Sequence, residues 1–167
     1  MADEELFPLV DPEGNVIGSA TRRECHSGSM LLHPVVHLHV FSPDGAILLQ
    51  KRSEDKDIQP GRWDTSVGGH VDYGETIIDA LRREVSEELG LTGFEAEALT
   101  PYVFQSAVER ELVNPFIAVV SRDYPFKFQP EEISEIRFWT AEEIDAAIGK
   151  GILTPNFEQE YTRLLKK

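Results

Sequence analysis

The chain has 167 residues, of which 41% are hydrophobic and 28% are charged, and this composition is typical of one folded domain. Its 16 basic and 30 acidic side chains give a formal net charge of -14. That charge disfavours a nucleic-acid polymer as partner, because such binding relies on a basic surface.

The N-terminal residues and the single cysteine indicate a cellular location. Asp3, Glu4 and Glu5 make the start of the chain acidic, whereas a secretory signal begins with basic residues. Cys25 has no second cysteine with which to form an internal disulfide, and no apolar run approaches the roughly 18 residues that span a bilayer. We expect a cytoplasmic protein without a membrane anchor, with one domain over residues 1–167. Monomer and homodimer both stay open.

The first part of the chain is predicted to be β-structure. Short apolar runs separated by turn-forming Pro and Gly residues predict two pairs of strands. Residues 6–10 and 15–19 would form an edge hairpin, and residues 35–41 and 46–51 would form two paired central strands. A loop at residues 59–64 leads to an extended segment at residues 65–71.

Residues 75–89 are predicted to form a helix. Apolar residues recur at three- and four-residue spacing, and Gly90 follows as a stop signal; these residues are Ile77, Ile78, Leu81, Val85 and Leu89. Three further strands are predicted at residues 101–105, 112–120 and 133–140. A helix is predicted from the capping box of Thr140 and Glu143 to about Ile148, and a last helix begins near Pro155. The expected fold class is α/β.

Glu84, Glu87 and Glu88 lie at positions i, i+3 and i+4 of the predicted helix, so their carboxylates share one face. A solvated acidic face is the simple interpretation, but a bound cation would relieve the repulsion among the three charges. Oxygen ligands suit Mg²⁺ or Mn²⁺, which also bind phosphates. A glycine-rich loop at residues 68–75 enters this helix, and such a loop lets the backbone approach an anionic ligand closely.

Together these segments resemble the Nudix signature over residues 69–91. Gly69 is followed after five residues by Glu75, and seven residues further on by the run from Arg83 to Leu91, so that every specified position matches. The resemblance implies the Nudix fold, a mixed β-sheet sandwiched between helices, and hydrolysis of a diphosphate linkage in a nucleoside diphosphate derivative. It assigns Glu84, Glu87 and Glu88 to the metal.

The same resemblance implies supporting roles for three more residues. Arg83 would orient the glutamates, Glu75 would support the loop, and the carbonyl of Gly69 would be a further metal ligand. We expect the substrate to be a small molecule that contains a diphosphate.

Outside the signature, the chain is similar to the Nudix branch that includes isopentenyl-diphosphate isomerase. The segments that carry this similarity lie at residues 9–15, 25–26, 32–33, 50–52, 60–63 and 66–70. In that isomerase, three histidines and two glutamates bind a second metal, and the matching positions here are His26, His33, His70, Glu109 and Glu111. This donor set suits Mn²⁺, Fe²⁺ or Zn²⁺; ordinary loop histidines and a charged turn are the other interpretation.

The chain departs from the isomerase at one position. The isomerase needs a cysteine just before the Gly-His pair, and the matching residue here is Gly68. Cys25 falls elsewhere in the pattern and is expected to be a packed residue. The missing thiol and the complete signature together favour hydrolysis over isomerisation.

Several residues remain candidates for substrate binding or proton transfer. Lys51 and Arg52 stand at a predicted strand end, where they would contact phosphate or act as solubilising charges. The base for the attacking water is sought among Glu88, Glu109 and Glu111. The aromatic side chains that would stack on a base or belong to the core are those of Trp63, Tyr73 and Phe104.

The leading prediction is therefore a Mg²⁺-dependent diphosphohydrolase. The alternatives are an isomerase-like enzyme acting on a prenyl diphosphate, and a non-catalytic Nudix domain that binds nucleotides.

Overall fold

The structure is a computed structural model, and it describes residues 5–56 and 58–166. Strands β1 (Leu6–Val10) and β2 (Val16–Thr21) form the predicted hairpin, with Leu6 opposite Thr21 and Val10 opposite Val16. The Asp11 carboxylate stabilises the turn by accepting hydrogen bonds from the backbone N–H groups of Glu13 and Asn15 at 3.0 and 2.9 Å.

A short helix that we did not predict follows the hairpin. Helix α1 (Arg22–Cys25) begins after Thr21, whose side chain accepts a hydrogen bond from the backbone of Glu24, while the Glu24 side chain accepts one from the backbone of Thr21. This reciprocal capping box is a local sequence signal. It explains why the chain turns at this point.

The first predicted central strand is longer than expected, and the second is shifted by one residue. Strand β3 (Leu32–Phe41) and strand β4 (Ile47–Arg52) are antiparallel, with Phe41 opposite Ile47. The predicted extended segment contains strand β6 (Val67–His70), whereas a short strand that we did not predict, β5 (Trp63–Asp64), lies at the end of the predicted loop.

Helix α2 (Ile77–Leu89) confirms the predicted helix and begins two residues later than expected. Leu81, Val85 and Leu89 are buried, as their spacing predicted. Gly90 ends the helix with a φ of 64°, a conformation that glycine adopts without strain.

The remaining elements also follow the predicted order, with one added strand. They are β7 (Glu97–Ala98), β8 (Tyr102–Gln105), β9 (Arg110–Val119), β10 (Ile133–Trp139), α3 (Ala141–Ala147), α4 (Pro155–Glu160) and a π-helical turn (Tyr161–Leu165). The larger sheet has the strand order β10-β4-β3-β9-β7, with β5 beside β4, β6 beside β3 and β8 beside β9. The predicted capping box of Thr140 and Glu143 is present at α3. The predicted α/β class is confirmed.

Contacts divide the chain into two compact units. The first unit comprises the residues up to His37, Gly68–Glu84 and Ala98–Phe116, and the second comprises Leu38–Val67, Val85–Glu97 and the residues from Ile117 onward. The expectation of a single domain over residues 1–167 stays a prediction.

Each unit has its own apolar cluster. The first contains a cluster of Phe7, Ala20 and Cys25. In the second, Trp63 and Trp139 pack edge to face within a larger cluster that includes Phe157. His39 and Glu160 form a buried pair in the same unit.

Among the described residues, the structure has no helix whose length and apolar character would let it cross a membrane.

Candidate active site and metal-binding residues

Helix α2 carries the three glutamates of the predicted metal site. It is continuous through Glu84, Glu87 and Glu88, so the spacing that we read from the sequence is a true helical spacing. Three carboxylates on one face repel one another unless positive charge lies nearby. The face therefore needs a cation or a basic side chain.

Arg83 supplies basic charge at the beginning of this face. Its Nε and Nη2 donate hydrogen bonds to the two carboxylate oxygens of Glu75, at 2.7 and 2.9 Å. Its Nη1 donates to Oε1 of Glu84 at 2.7 Å, and Nη2 also donates to the backbone carbonyl of His70 at 3.1 Å. One planar guanidinium thus joins the glycine-rich loop to the helix.

These bonds alter the acidity of both partners. The hydrogen bond from Arg83 holds the pKa of Glu75 below its ordinary value, and the carboxylates of Glu75 and Glu84 raise the pKa of Arg83. Oε1 of Glu75 also accepts a hydrogen bond from the backbone N–H of Asp72 at 2.9 Å. Glu75 therefore links the backbone of the loop to Arg83, and its supporting role in the site stays a prediction.

Gly69 lies directly against Glu84. A Cβ at position 69 would sit 2.2 Å from the carboxyl carbon of Glu84, closer than any real contact. Only glycine leaves this space, and the Glu84 carboxylate occupies it beside the loop backbone. The cradle is compatible with a cation held by Glu84 and the Gly69 carbonyl.

In the second unit, Glu88 has a partner that we did not predict as a site residue. Nε2 of Gln50 donates hydrogen bonds to Oε1 of Glu88 at 3.0 Å and to the carbonyl of Ser66 at 2.9 Å. The sequence signal was a polar residue directly after the apolar run of strand β4.

The two predicted phosphate contacts, Lys51 and Arg52, lie on opposite faces of β4. Because side chains alternate along a strand, Arg52 shares the face of Gln50 and Lys51 points away from it. The Arg52 guanidinium donates to the carbonyl of Ile58 at 3.0 Å and lies 3.8 Å from the carboxylate of Asp64. Of the two, Arg52 is therefore the better placed toward Glu88.

The structure brings together the five side chains of the predicted second metal site, all in the first unit. The ligand atoms of His26, His33 and His70 lie within 4.8 Å of one another, and so do those of His33, Glu109 and Glu111. They come from α1's end, β3, β6, the turn before β9 and β9 itself. His33 belongs to both groups.

The hydrogen bonds of the histidines are consistent with metal ligation. Nδ1 of His33 lies 3.0 Å from the carbonyl of Leu31, which can only accept, so Nδ1 carries a proton and Nε2 is the nitrogen that could bind a metal. Nε2 of His33 is buried and has no hydrogen-bond partner among the described residues. Nε2 of His26 lies 3.0 Å from Oε2 of Glu109, but without the alignment of a hydrogen bond. Imidazole nitrogens that converge unpaired on carboxylates are what a metal site requires.

An aromatic ring orients this group. Phe7 stacks on His70 with ring centroids 4.6 Å apart and on His33 with centroids 5.7 Å apart. The nearly parallel rings restrict both imidazoles. Strand β1 therefore contributes to the site through a residue with no ligand atom.

The surroundings of His70 and His26 favour the neutral form of these two imidazoles. Burial, followed by the positive charge of Arg22, lowers the pKa of His70 to about 3. Burial also lowers the pKa of His26, although the charge of Glu109 opposes that shift. Neutral imidazole is the form that binds a metal.

The pKa of Glu111 is shifted in the opposite direction. Burial, and then the negative charge of Glu109, raise its pKa to about 8. Two adjacent carboxylates in a poorly solvated place are stabilised by a cation. The donor set as a whole therefore fits Mn²⁺, Fe²⁺ or Zn²⁺.

His37 is a neighbour of this group that we did not predict. A Cβ at position 68 would lie 3.4 Å from Cδ2 of His37, and the charge of His37 partly opposes the raised pKa of Glu111. The alternation of β3 places His33 and His37 on one face. An imidazole edge therefore faces the position at which the isomerase has its thiol.

Cys25 is not placed to replace the thiol that the isomerase has at the position of Gly68. It is fully buried, and burial raises the pKa of its thiol to about 11. This agrees with the expected packing role.

The three aromatic candidates differ in exposure. Trp63 is 9% exposed and belongs to the core of the second unit, whereas Tyr73 is 54% exposed on the glycine-rich loop and Phe104 is half-buried in β8. Trp63 is accounted for by packing, and Tyr73 has the exposure that stacking needs.

Comparison with known proteins gives consistent matches. The family model of the NUDIX domain matches residues 31–157. An uncharacterized Nudix hydrolase of Yersinia pestis is 33% identical over 170 residues, which cover 96% of this chain and 92% of that protein. An isopentenyl-diphosphate Delta-isomerase of Clavibacter sepedonicus is 33% identical over 150 residues, covering 86% of this chain and 78% of that protein.

Solved structures have the same fold. The crystal structure of DR0079 from Deinococcus radiodurans is similar to this chain with a TM-score of 0.81 and 26% identity, and the similarity covers 97% of this chain and 100% of that chain.

Proposed function

Since this chain belongs to the Nudix domain family, we propose that it is a Mg²⁺- or Mn²⁺-dependent hydrolase of a small diphosphate. Its substrate would be a nucleoside diphosphate derivative or a similar phosphorylated metabolite. The resemblance to the Nudix superfamily that residues 69–91 indicated is confirmed by the family match. Hydrolysis of diphosphate bonds is the general activity of this family, and the particular substrate is our proposal.

The observation that carries the proposal is the position of Arg83. Its guanidinium bonds both oxygens of Glu75 and one oxygen of Glu84. The guanidinium is half-buried and fixes the two carboxylates relative to each other. Such fixed geometry is expected where carboxylates bind a cation and its phosphate ligand.

In this proposal, Glu84, Glu87 and Glu88 hold the divalent metal with the carbonyl of Gly69. When bound, the metal supplies positive charge to the diphosphate and lowers the pKa of the attacking water. Arg83 keeps Glu84 in its cradle beside Gly69. Arg52, and less directly Lys51, would contact phosphate oxygens.

The reaction consumes one water. The water oxygen bonds to one phosphorus, the bridging P–O bond breaks, and one proton of the water passes to a carboxylate base. The base releases this proton to solvent and the leaving phosphate takes one up from solvent, so two phosphorylated products result. The candidates for the base are Glu88, Glu109 and Glu111.

We also propose a second divalent metal at His26, His33, His70, Glu109 and Glu111. The unpaired Nε2 of His33 and the convergence of imidazoles with carboxylates support it. If this site holds a metal, Glu109 and Glu111 would be its ligands; without that metal, one of these two glutamates would be free to act as the base.

An isomerase-like reaction on isopentenyl diphosphate is the second candidate. The gathering of the five metal-site side chains favours it, and one relative bears the name of that isomerase. Gly68 carries no thiol and Cys25 is buried, so the proton transfer would need another donor. Hydrolysis therefore remains the leading proposal.

The partner and the location follow from charge and cysteine chemistry. We propose a small-molecule substrate in preference to a nucleic-acid polymer because the net charge is -14. The free thiol of Cys25 is compatible with a reducing cytoplasm.

The test is product release from nucleoside di- and triphosphates, dinucleotides, sugar nucleotides and isopentenyl diphosphate, with Mg²⁺ or Mn²⁺. Glu87→Gln is the test variant, and Asp79→Asn, which removes an exposed charge from the same helix, is its control. We expect metal-dependent cleavage that Glu87→Gln lowers by about 100-fold or more and that Asp79→Asn leaves unchanged.

Other outcomes separate the alternatives. Cleavage that survives Glu87→Gln would refute the helix metal site. Conversion of isopentenyl diphosphate to its isomer without water uptake would support the isomerase. Tight nucleotide binding with no turnover by wild type would indicate a non-catalytic binding domain.

A further inference from the structure

We infer that Gln50 is a positioning residue that orients the carboxylate of Glu88 for metal binding. The inference rests on the proposed function, because it assigns a purpose to Glu88 as ligand. It adds a residue that lies on strand β4, outside the signature of residues 69–91.

The direction of the Gln50 side chain is determined by its partners. The carbonyl of Ser66 can only accept a hydrogen bond, so the group of Gln50 that lies 2.9 Å from it must be the NH₂. That nitrogen has a second hydrogen, and Oε1 of Glu88 lies 3.0 Å from it. The two contacts therefore require the same orientation of the amide.

The anchor at Ser66 is itself rigid. Ser66 is fully buried. Its hydroxyl accepts a hydrogen bond from the backbone N–H of Val40 at 2.9 Å and donates one to the carbonyl of Leu48. These bonds hold Ser66 between β3 and β4, and its carbonyl therefore gives the Gln50 amide a fixed partner.

The backbone of Gln50 is also held on both sides. It lies opposite Ile136 of β10 and opposite Asp64 of β5. A side chain that starts from a strand with two neighbours and ends on a buried carbonyl has few alternative rotamers. The position of Glu88 Oε1 is thus imposed before any cation arrives, which reduces the entropy lost on binding.

The neutral amide suits this task. Gln50 donates a hydrogen bond without bringing a positive charge against the cation, whereas a Lys or Arg at this position would repel a divalent ion. Outer partners of metal-binding carboxylates typically contribute about 10–100-fold to metal affinity. We expect Gln50 to contribute within that range.

The experiment measures Mn²⁺ binding to the full chain by the electron paramagnetic resonance signal of free Mn²⁺. Gln50→Met replaces the amide with an unbranched side chain of similar length that cannot donate. Gln50→Leu is a second variant, and Gln105→Met is the control because Gln105 is exposed on β8 in the other unit. Circular dichroism melting establishes that every variant is folded at the temperature of the titration.

We expect both Gln50 variants to raise the Mn²⁺ dissociation constant of the Glu87-dependent site by about 10–100-fold. Their hydrolytic rate should recover toward the wild-type rate at saturating Mn²⁺, which a purely structural defect would not allow. Gln105→Met should bind as wild type does.

Two results would overturn the inference in different ways. If wild type and Glu87→Gln bind Mn²⁺ differently but folded Gln50 variants bind as wild type does, the role of Gln50 is refuted and the metal site stands. If wild type has no Glu87-dependent Mn²⁺ binding, the metal site and the inference both fail.

Discussion

The carboxyl group of Glu84 occupies the space that a side chain at Gly69 would need. The carbon of a methyl group at position 69 would lie 2.2 Å from the carboxyl carbon of Glu84. Gly69 has no left-handed φ, so the requirement for glycine is one of space and not of backbone conformation. Position 69 therefore requires glycine because the carboxyl group of Glu84 fills the space of a side chain.

Gly69→Ala is expected to displace Glu84 and to weaken both Mg²⁺ binding and hydrolysis. A displacement of about 1 Å in a catalytic group can cost about 100-fold in rate. Gly68→Ala is the matched control, because its Cβ would meet only the edge of His37 at 3.4 Å. Steady-state kinetics and metal titration of both variants provide the measurement. Wild-type affinity in Gly69→Ala would show that Glu84 is not a ligand.

Glu75→Gln should make the free energy of unfolding depend less on pH in the acid range. The folded pKa of Glu75 lies below the ordinary value of 4.5, so the ionised side chain stabilises the folded state above that pH. This stabilisation is lost as the pH falls below 4.5 toward the folded pKa. Urea unfolding should give wild type an advantage of about 1–3 kcal/mol near neutral pH, where its hydrogen bonds to Arg83 are charge-assisted.

The difference between the two proteins should shrink at about pH 3. A constant difference across this range would mean that ionised Glu75 does not contribute more than the neutral amide.

His33→Gln is expected to lower the bound metal by about one ion per chain, since His33 belongs to both ligand groups. The measurement is elemental analysis after equilibration with Mn²⁺ or Zn²⁺ and removal of excess. His37→Gln is the control, because His37 lies on the same strand face but outside both groups. An unchanged ratio of bound metal to protein in folded His33→Gln would contradict the second metal site.

Cys25 should be inert toward thiol reagents in the folded protein. Its thiol is fully buried and has a pKa of about 11, so little thiolate exists at neutral pH. Ellman's reagent should react slowly with the native chain and promptly after denaturation in guanidinium chloride. Fast reaction of the native chain would show that the thiol is accessible, and would reopen a catalytic role for it.

The sequence predicted the parts of the candidate site that depend on local order. The helix at residues 77–89 could be identified because its apolar residues repeat with the helical period, and that period places Glu84, Glu87 and Glu88 on one face. The fold class followed from the same kind of pattern. The short helix α1 was missed although its capping box is also local, because we did not weigh Thr21 with Glu24.

Only the tertiary structure decided which distant residues meet. Nothing in the local pattern of β4 says that Gln50 bonds Glu88, or that His37 faces Gly68. The five residues of the second metal site were named by resemblance, but their convergence to within 4.8 Å in two groups depends on strand pairing and burial. Periodicity and capping act within a few residues of chain, whereas these contacts join segments that the sheet brings together.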